Sequence, residues 1–300
     1  MARLLLGKEV TAAMNEAYRL RAEALRKKGI VPKLAIIRCG NEPSDLAYEK
    51  GAASRAALIG AETVQIALPR DVTKQELLSA IRRINEDDTV HGCLLLRPLP
   101  PQLKKEQDEI VNALLPEKDV DGMTDLSAAG VFTGKGRGFA PCTAQACMEI
   151  LDYYGVDCTG KNAVVIGRSC VVGKPVSMLL LEKNATVTVC HTKTQALASI
   201  ARQADILISS AKVLNLLTED FVRSGQVILD VSVNWDASKP NSRGTLGAMA
   251  GDADFEKIEP IVAAVTPVPG GVGAVTTSVL IAHTVEAAER RKGDDHAENV

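Results

Sequence analysis

Residues 160–194, GKNAVVIGRSCVVGKPVSMLLLEKNATVTVCHTKT, restrict the fold more than any other part of the chain. Residues 163–166 are a short apolar run of the kind that forms a buried strand, and residues 185–190 are a second. Between them, residues 167–173 read as a turn bounded by glycines, and Pro175 opens a helix carrying Leu179, Leu180 and Leu181. A strand, a Gly-bounded turn and a helix start make a phosphate site, because free amides and the positive helix end face the anion. The turn places Gly167, Arg168, Ser169 and Gly173 around that anion. Its spacing is G-x-S-x-x-x-G rather than G-x-G-x-x-G, so the rest of the unit has to say which anion.

A strand ending in an acid, about 20 residues after such a turn, grips the ribose hydroxyls of NAD. Here the second strand ends in Cys190-His191-Thr192-Lys193-Thr194, with no acid. Arg168 in the turn, Lys193 beside the strand end and nearby hydroxyls suit a 2′-phosphate, which points to NADP over NAD.

With 300 residues the chain has room for about two domains. Its 35 Lys and Arg against 37 Asp and Glu leave a net charge of −2, and no basic run interleaved with aromatics argues for nucleic acid. MARLLLGKEV has only a three-Leu run, too short for a signal-peptide core, and no segment approaches the roughly 18 apolar residues of a membrane span. Seven cysteines without a C-x-x-C pair fit a reducing cytoplasm. Four histidines (His91, His191, His283, His296) lack ligand spacing, so no metal is expected.

Helices and strands alternate on both sides of a glycine-rich stretch. Helices are expected at 8–29, 44–59, 73–85 and 103–115, and strands at 34–37, 63–68 and 92–96. Asp71 or Thr73 caps the third helix. Residues 119–142 hold Gly122, Gly130, Gly134, Gly136 and Gly138 and read as the domain junction. A helix at 143–154 leads into the second unit. Strands are then expected at 206–209, 227–233 and 265–268, a polar loop at 235–246, a closing helix at 275–290 and a frayed tail from Lys292. The fold class is therefore α/β, with two α/β domains flanking a cleft, and ligands lie at the carboxyl ends of strands.

Three further features could carry chemistry. Tyr48 starts a helix just after a strand, where an aromatic can stack on a flat heterocycle or simply pack. Asp121 lies in Pro116-Glu117-Lys118-Asp119-Val120-Asp121-Gly122; its carboxylate could take the paired N–H donors of a pterin-like ring edge, or merely form an Asp-Gly turn. Thr266-Pro267-Val268-Pro269-Gly270-Gly271-Val272-Gly273 is rigid and then permissive, suited to close backbone approach to a ligand or to a tight connection.

In this order and spacing, residues 160–194, residues 265–273 with Thr276, and residues 118–122 resemble the bifunctional methylenetetrahydrofolate dehydrogenase/cyclohydrolase family. The resemblance runs along nearly the whole chain. It implies a folate-binding catalytic domain over 1–140, completed by the C-terminal helix 274–292, and an NADP-binding Rossmann-like domain over 141–273. It implies a cytoplasmic homodimer with tetrahydrofolate as substrate and the pterin held by Asp121. Tyr48 then matches the active-site tyrosine, and Pro269, Gly270 and Gly271 the folate-side loop. Gly167, Arg168, Ser169 and Gly173 match the cofactor turn, Thr192 stands near the 2′-phosphate and Val233 beside the nicotinamide.

Two departures bear on activity. The family's catalytic lysine comes four residues after the tyrosine, and that position is Ala52 here. Lys50 is two residues on, about 200° round the helix, and should face away. The family's glutamine partner falls on Leu96 in Gly92-Cys93-Leu94-Leu95-Leu96-Arg97-Pro98. Arg55 or Arg97 could intrude, but a guanidinium is a poor general base. The expectation is a methylenetetrahydrofolate dehydrogenase using NADP, with cyclohydrolase activity weak or absent. The alternatives are an NADP-dependent dehydrogenase of another small acid, or a non-catalytic folate- or nucleotide-binding protein.

Overall fold

A computed structural model of the chain describes residues 1–241 and 244–297. The elements run β1 (Arg3–Leu4), α1 (Gly7–Arg26), β2 (Lys33–Cys39), α2 (Pro43–Ile59), β3 (Glu62–Leu68), α3 (Lys74–Glu86) and β4 (Gly92–Leu95). Next come α4 (Gln107–Asn112), α5 (Asp125–Thr133), α6 (Cys142–Tyr153), β5 (Asn162–Ile166), α7 (Gly173–Glu182), β6 (Thr186–Cys190), α8 (Leu197–Arg202) and β7 (Ile206–Ser209). The remainder is β8 (Val227–Asp230), β9 (Asn234–Pro240), β10 (Leu246–Ala250), α9 (Phe255–Ile258), β11 (Ala264–Val265) and α10 (Val272–Ala297).

The chain folds as two compact units. One comprises Ala12–Cys142 and Thr277–Val300, around a three-stranded parallel sheet in the order β3-β2-β4. Leu34, Ala35, Ile36 and Ile37 on the central strand are wholly buried, as expected of a parallel strand covered on both faces. Ile37, Leu77, Ile81, Cys93 and Ile110 form the core on one side of that sheet. Thr73 caps α3 in a reciprocal box: its hydroxyl accepts from Glu76 N at 3.3 Å, and the Glu76 carboxylate accepts from Thr73 N at 2.8 Å. Gly92 lets two other segments close on β4, since a Cβ there would lie 2.7 Å from Val120 Cγ1 and 3.2 Å from Thr284 Oγ1. Cys93 N also donates to Lys118 O at 2.7 Å, so the segment bearing Asp121 runs beside β4.

The other unit, Met1–Thr11 with Thr143–Thr276, holds a six-stranded parallel sheet in the order β1-β11-β8-β7-β5-β6. The order in which strands are added reverses at β5, with β6 on one side and β7 on the other. Ile166 pairs with both Cys190 and Ser209, and Ser209 with Asp230, so four strands end in line. Val164, Ile166, Leu207, Ile228 and Val265 are buried together in this sheet's core.

The elements depart from the sequence reading in five places. The helix expected over 103–115 is a 3-10 turn (Pro101–Leu103) followed by the shorter α4. The glycine-rich stretch 119–142 contains α5, capped by Thr124 and closed by Gly134 in the left-handed conformation. The supposed loop 235–246 lies within the antiparallel hairpin β9–β10, apart from its residues 242 and 243, which lie outside the described residues. Finally, β1 pairs Arg3 and Leu4 with Ala264 and Val265, a pairing between chain ends that local pattern does not announce. The tail expected from Lys292 continues as α10 to Ala297; the final three residues lie outside the described ones.

Candidate active site

Tyr48, Asp121, Leu96 and Arg97 line one cavity of ≈ 320 Å³, together with Ser44 and Asp45 at the start of α2. Two elements set this up. α2 begins with Pro43 in its first turn, which brings Tyr48 round to the cavity and leaves Lys50 exposed. β4 ends at Leu95, and Leu96 N still donates to Ile37 O at 2.9 Å, so Leu96 is held against β2 while Arg97 leaves the sheet. Ala52, one turn after Tyr48, is wholly buried, and Leu96 is 9% exposed. Leu96 thus gives the cavity an apolar wall, and Ala52 lies buried behind it without lining it. Arg97 lines it, and Arg55 does not.

Asp121 is carried on a turn that Asp119 builds. The buried Asp119 carboxylate accepts from Met123 N at 2.9 Å, Thr124 N at 2.7 Å and Ser127 Oγ at 2.6 Å. Gly122 follows at φ 68, where a Cβ would lie 2.5 Å from Ala140 C and Pro141 N, so this turn requires glycine. Sequence reasoning missed Asp119; its place two residues before Asp121 in a D-x-D-G run is the only signal. Burial raises the Asp121 carboxyl to about 6, with Arg97 opposing the rise and Asp119 adding to it. Burial pushes the Tyr48 phenol well above its ordinary value, reinforced by Asp121 and offset by a hydrogen bond with Thr277.

Lys118 takes no part in the cavity. Its ammonium donates to the carbonyls of Ile84, Asn85 (3.0 Å) and Asp87 (2.7 Å) at the carboxyl end of α3. The carbonyl of Val120 accepts from the Cys142 thiol at 3.2 Å and lies 2.9 Å from His283 Nδ1, which fixes the other side of the Asp121 turn.

The second group of residues lies in the six-stranded unit. Gly167 follows β5 at φ 128, and a Cβ there would stand 2.3 Å from Ser210 Oγ. Gly173 opens α7, and its Cβ would stand 2.2 Å from Gly167 O and 2.8 Å from Arg168 N. The two glycines thus let the turn fold back on the helix start. Ser169 Oγ accepts from Val172 N at 3.1 Å, and Ser169 O from Lys174 N at 3.0 Å, which closes the loop. Arg168 and Thr192 are both exposed, each two residues beyond the paired Ile166 and Cys190. A backbone cradle at a helix start, with a guanidinium and a hydroxyl beside it, fits the phosphates of a dinucleotide and one phosphate more. Val233 is exposed just past β8.

Asp252 organises the neighbouring loops and was not foreseen. Its carboxylate accepts from Ser209 Oγ (2.6 Å), Ser232 Oγ (2.8 Å), Ala211 N (2.8 Å) and Val213 N (2.8 Å). Pro269, Gly270 and Gly271 belong to the same unit, where Gly7 N donates to Gly270 O at 2.8 Å. Among the described residues, no group of three or more His, Cys, Asp or Glu side chains could hold a metal ion, and no helix is long and apolar enough to cross a membrane.

Two family models match the chain. Residues 5–121 match the catalytic domain of tetrahydrofolate dehydrogenase/cyclohydrolase, and residues 141–292 match its NAD(P)-binding domain. The chain is 45% identical to the bifunctional protein FolD of Alkaliphilus oremlandii over 287 residues, 96% of this chain and 97% of that one. It is 46% identical to the FolD protein of Carboxydothermus hydrogenoformans, covering 98% and 99%. Among solved structures, the bifunctional FolD enzyme of Campylobacter jejuni superposes with a TM-score of 0.89 at 37% identity, covering 97% of this chain and all of that one. The Trypanosoma brucei FolD enzyme, complexed with NADP and an inhibitor, gives 0.88 at 32% identity, covering 97% and 98%.

Proposed function

The chain belongs to the tetrahydrofolate dehydrogenase/cyclohydrolase family, and from that premise we propose how it divides the family's two activities. It oxidises 5,10-methylenetetrahydrofolate to the 5,10-methenyl cation with NADP, and it hydrolyses that cation weakly or not at all. The observation that carries the second half is the pair Ala52 and Leu96, both buried and apolar, the first one turn after Tyr48 on α2 and the second in the cavity beside it.

The two reactions ask different things of a protein. NADP, when bound, supplies the nicotinamide carbon that accepts a hydride. The folate carbon that loses it becomes a cation shared between two nitrogens, so no base is needed. What the chain contributes is alignment and exclusion of water, effects that reach several kcal/mol. Tyr48 lies against the folate ring system. Asp121, as a carboxylate, accepts the paired N–H donors of the pterin edge. Pro269, Gly270 and Gly271 offer backbone to the substrate. Gly167, Ser169 and Gly173 would hold the cofactor's pyrophosphate, Arg168 and Thr192 its 2′-phosphate, and Val233 would pack beside the nicotinamide. Residues 1–140 with helix 274–292 act as the folate-binding part and 141–273 as the NADP-binding part, in a cytoplasmic homodimer.

Hydrolysis needs water to be steered and deprotonated, by a group whose pKa lies near neutrality. The guanidinium that Arg97 brings to the cavity is a poor general base. The Tyr48 phenol is driven upward by burial, away from that range. Asp121 is committed to the pterin. The test is one spectroscopic assay of the purified protein. Methylenetetrahydrofolate with NADP and NAD in parallel should form the methenyl chromophore faster with NADP, and methenyltetrahydrofolate supplied alone should decay at its spontaneous rate. Catalysed decay would overturn the division of activities, and no methenyl formation would overturn the dehydrogenase.

A further inference from the structure

We propose that Arg97 is a positioning residue of the substrate site, whose guanidinium keeps Asp121 an anion and faces it toward the bound ring. The inference rests on Asp121 as the pterin-binding carboxylate. Arg97 Nη2 lies 4.0 Å from Asp121 Oδ2, and the two side chains are only 25% and 21% exposed. Arg97 is itself held: the same nitrogen contacts Met123 Sδ at 2.9 Å. Both side chains also border a small recess lined by Ile81, Leu95, Val111 and Leu114, so the carboxylate stands beside apolar surface.

A carboxylate in such a place reverts to its neutral form unless a charge or donors hold it. The groups that face Asp121 supply little else. Tyr48 faces it from α2 and Cys93 from β4, and neither is a cation; the Cys142 thiol, from the start of α6, hydrogen-bonds with the carboxylate and favours its ionised form, but less than Arg97 does. Asp119, from its own loop, is a second anion whose charge is spent on Met123, Thr124 and Ser127. Asp45 lines the same cavity and adds no positive charge. Arg97 is the cation paired with it among the described residues. A guanidinium does not titrate in any working range, so its hold is constant.

The consequence follows from what a pterin edge presents. Two N–H donors need two acceptor oxygens; a protonated carboxyl offers one acceptor and one competing donor. Binding is therefore present above the Asp121 pKa and lost as pH falls through it. That point lies at about 6 with Arg97 in place. Removing the guanidinium moves it upward, toward neutrality.

The measurement is the pH dependence of binding of a 5-deaza tetrahydrofolate, which carries the same ring edge without the labile methylene bridge. In the parent protein, affinity should fall on the acid side with a midpoint near 6. In Arg97→Leu the midpoint should rise by about one unit, so that affinity at pH 6 is roughly fivefold weaker and recovers as the pH is raised. Arg97→Lys, which keeps the charge, should return the midpoint most of the way; Arg97→Gln should not. An unmoved midpoint in both Leu and Gln variants overturns the proposal. Asp121→Asn separates the two layers. If it binds the analogue as the parent does, the reading of Asp121 fails; if it loses binding while the Arg97 midpoints stay put, only the role of Arg97 fails.

Discussion

Tyr48 and Ala52 stand one turn apart on the same face of α2, the first bordering the cavity and the second wholly buried. A side chain at 52 long enough to reach the cavity would come up beside the phenol. Ala52→Lys with Leu96→Gln should therefore raise hydrolysis of methenyltetrahydrofolate by about 10- to 100-fold, a modest share of what a placed general base can contribute. The lysine stem must enter a packed position, so the double variant should also lose about 1–3 kcal/mol in urea titration. No gain in hydrolysis by a folded double variant would mean that position 52 does not address the reacting carbon.

Arg168→Ala tests cofactor choice. A charge-assisted contact is worth ~1.5–3 kcal/mol, so NADP should weaken by roughly 10- to 150-fold while NAD changes far less. Dissociation constants for both dinucleotides, measured by fluorescence, decide it. Equal losses would remove Arg168 from the 2′-phosphate.

Gly173→Ala tests the turn itself. The added methyl meets the Gly167 carbonyl at 2.2 Å, and backbone cannot swing aside as a side chain can. The variant should lose about 1–3 kcal/mol of stability and most of its affinity for both dinucleotides. Retained binding with an unchanged melting point would show that the turn opens in solution.

His91 sets an acid limit on the fold. Burial lowers its imidazole to about 4, and Arg291, Lys118 and Lys33 push in the same direction. Its Nδ1 accepts from Lys33 N at 3.3 Å, which requires that nitrogen to be unprotonated. The unfolded chain takes up this proton near pH 6.5 and the folded chain only near 4, so stability drains away as pH falls between them, by at most about 3 kcal/mol. The carboxyls of half-buried Asp121 and buried Asp230, raised to about 6, act with the opposite sign, since the folded chain protonates them first and gains stability as pH falls. The measurement is therefore a difference. Urea midpoints at pH 7 and 4.5 should fall less in His91→Gln than in the parent; identical losses would show that His91 is not responsible.

Much of this architecture is legible in the sequence where apolar residues recur or glycines are forced. β5, α7 and β6 follow from one apolar run, one turn and another run, and Thr73 announces its helix through Glu76 three residues on. What resists reading has identifiable causes. α5 carries Gly130 inside it, a residue that argues against helix, yet its missing side chain is what allows Arg137 O to approach to within 1.9 Å of the Cβ position. β9 reads NWDASKP, with no alternation, because a two-stranded ribbon with much of both faces in water has little reason to alternate. In the site, the spacing of Tyr48 and Ala52 is visible in the sequence because a helix makes it local. The approach of Arg97 to Asp121 is not, because the residues lie on separate segments brought together beside β4.

β1 has a consequence for how the molecule comes into being. Arg3 and Leu4 leave the ribosome long before the residues they pair with, Ala264 and Val265. Until then the opening segment waits without its neighbour, and the six-stranded sheet keeps a bare margin at β11. A fragment cut at 143 and 276 would carry that margin permanently, so expressing the dinucleotide unit in soluble form calls for grafting the first eleven residues back onto it.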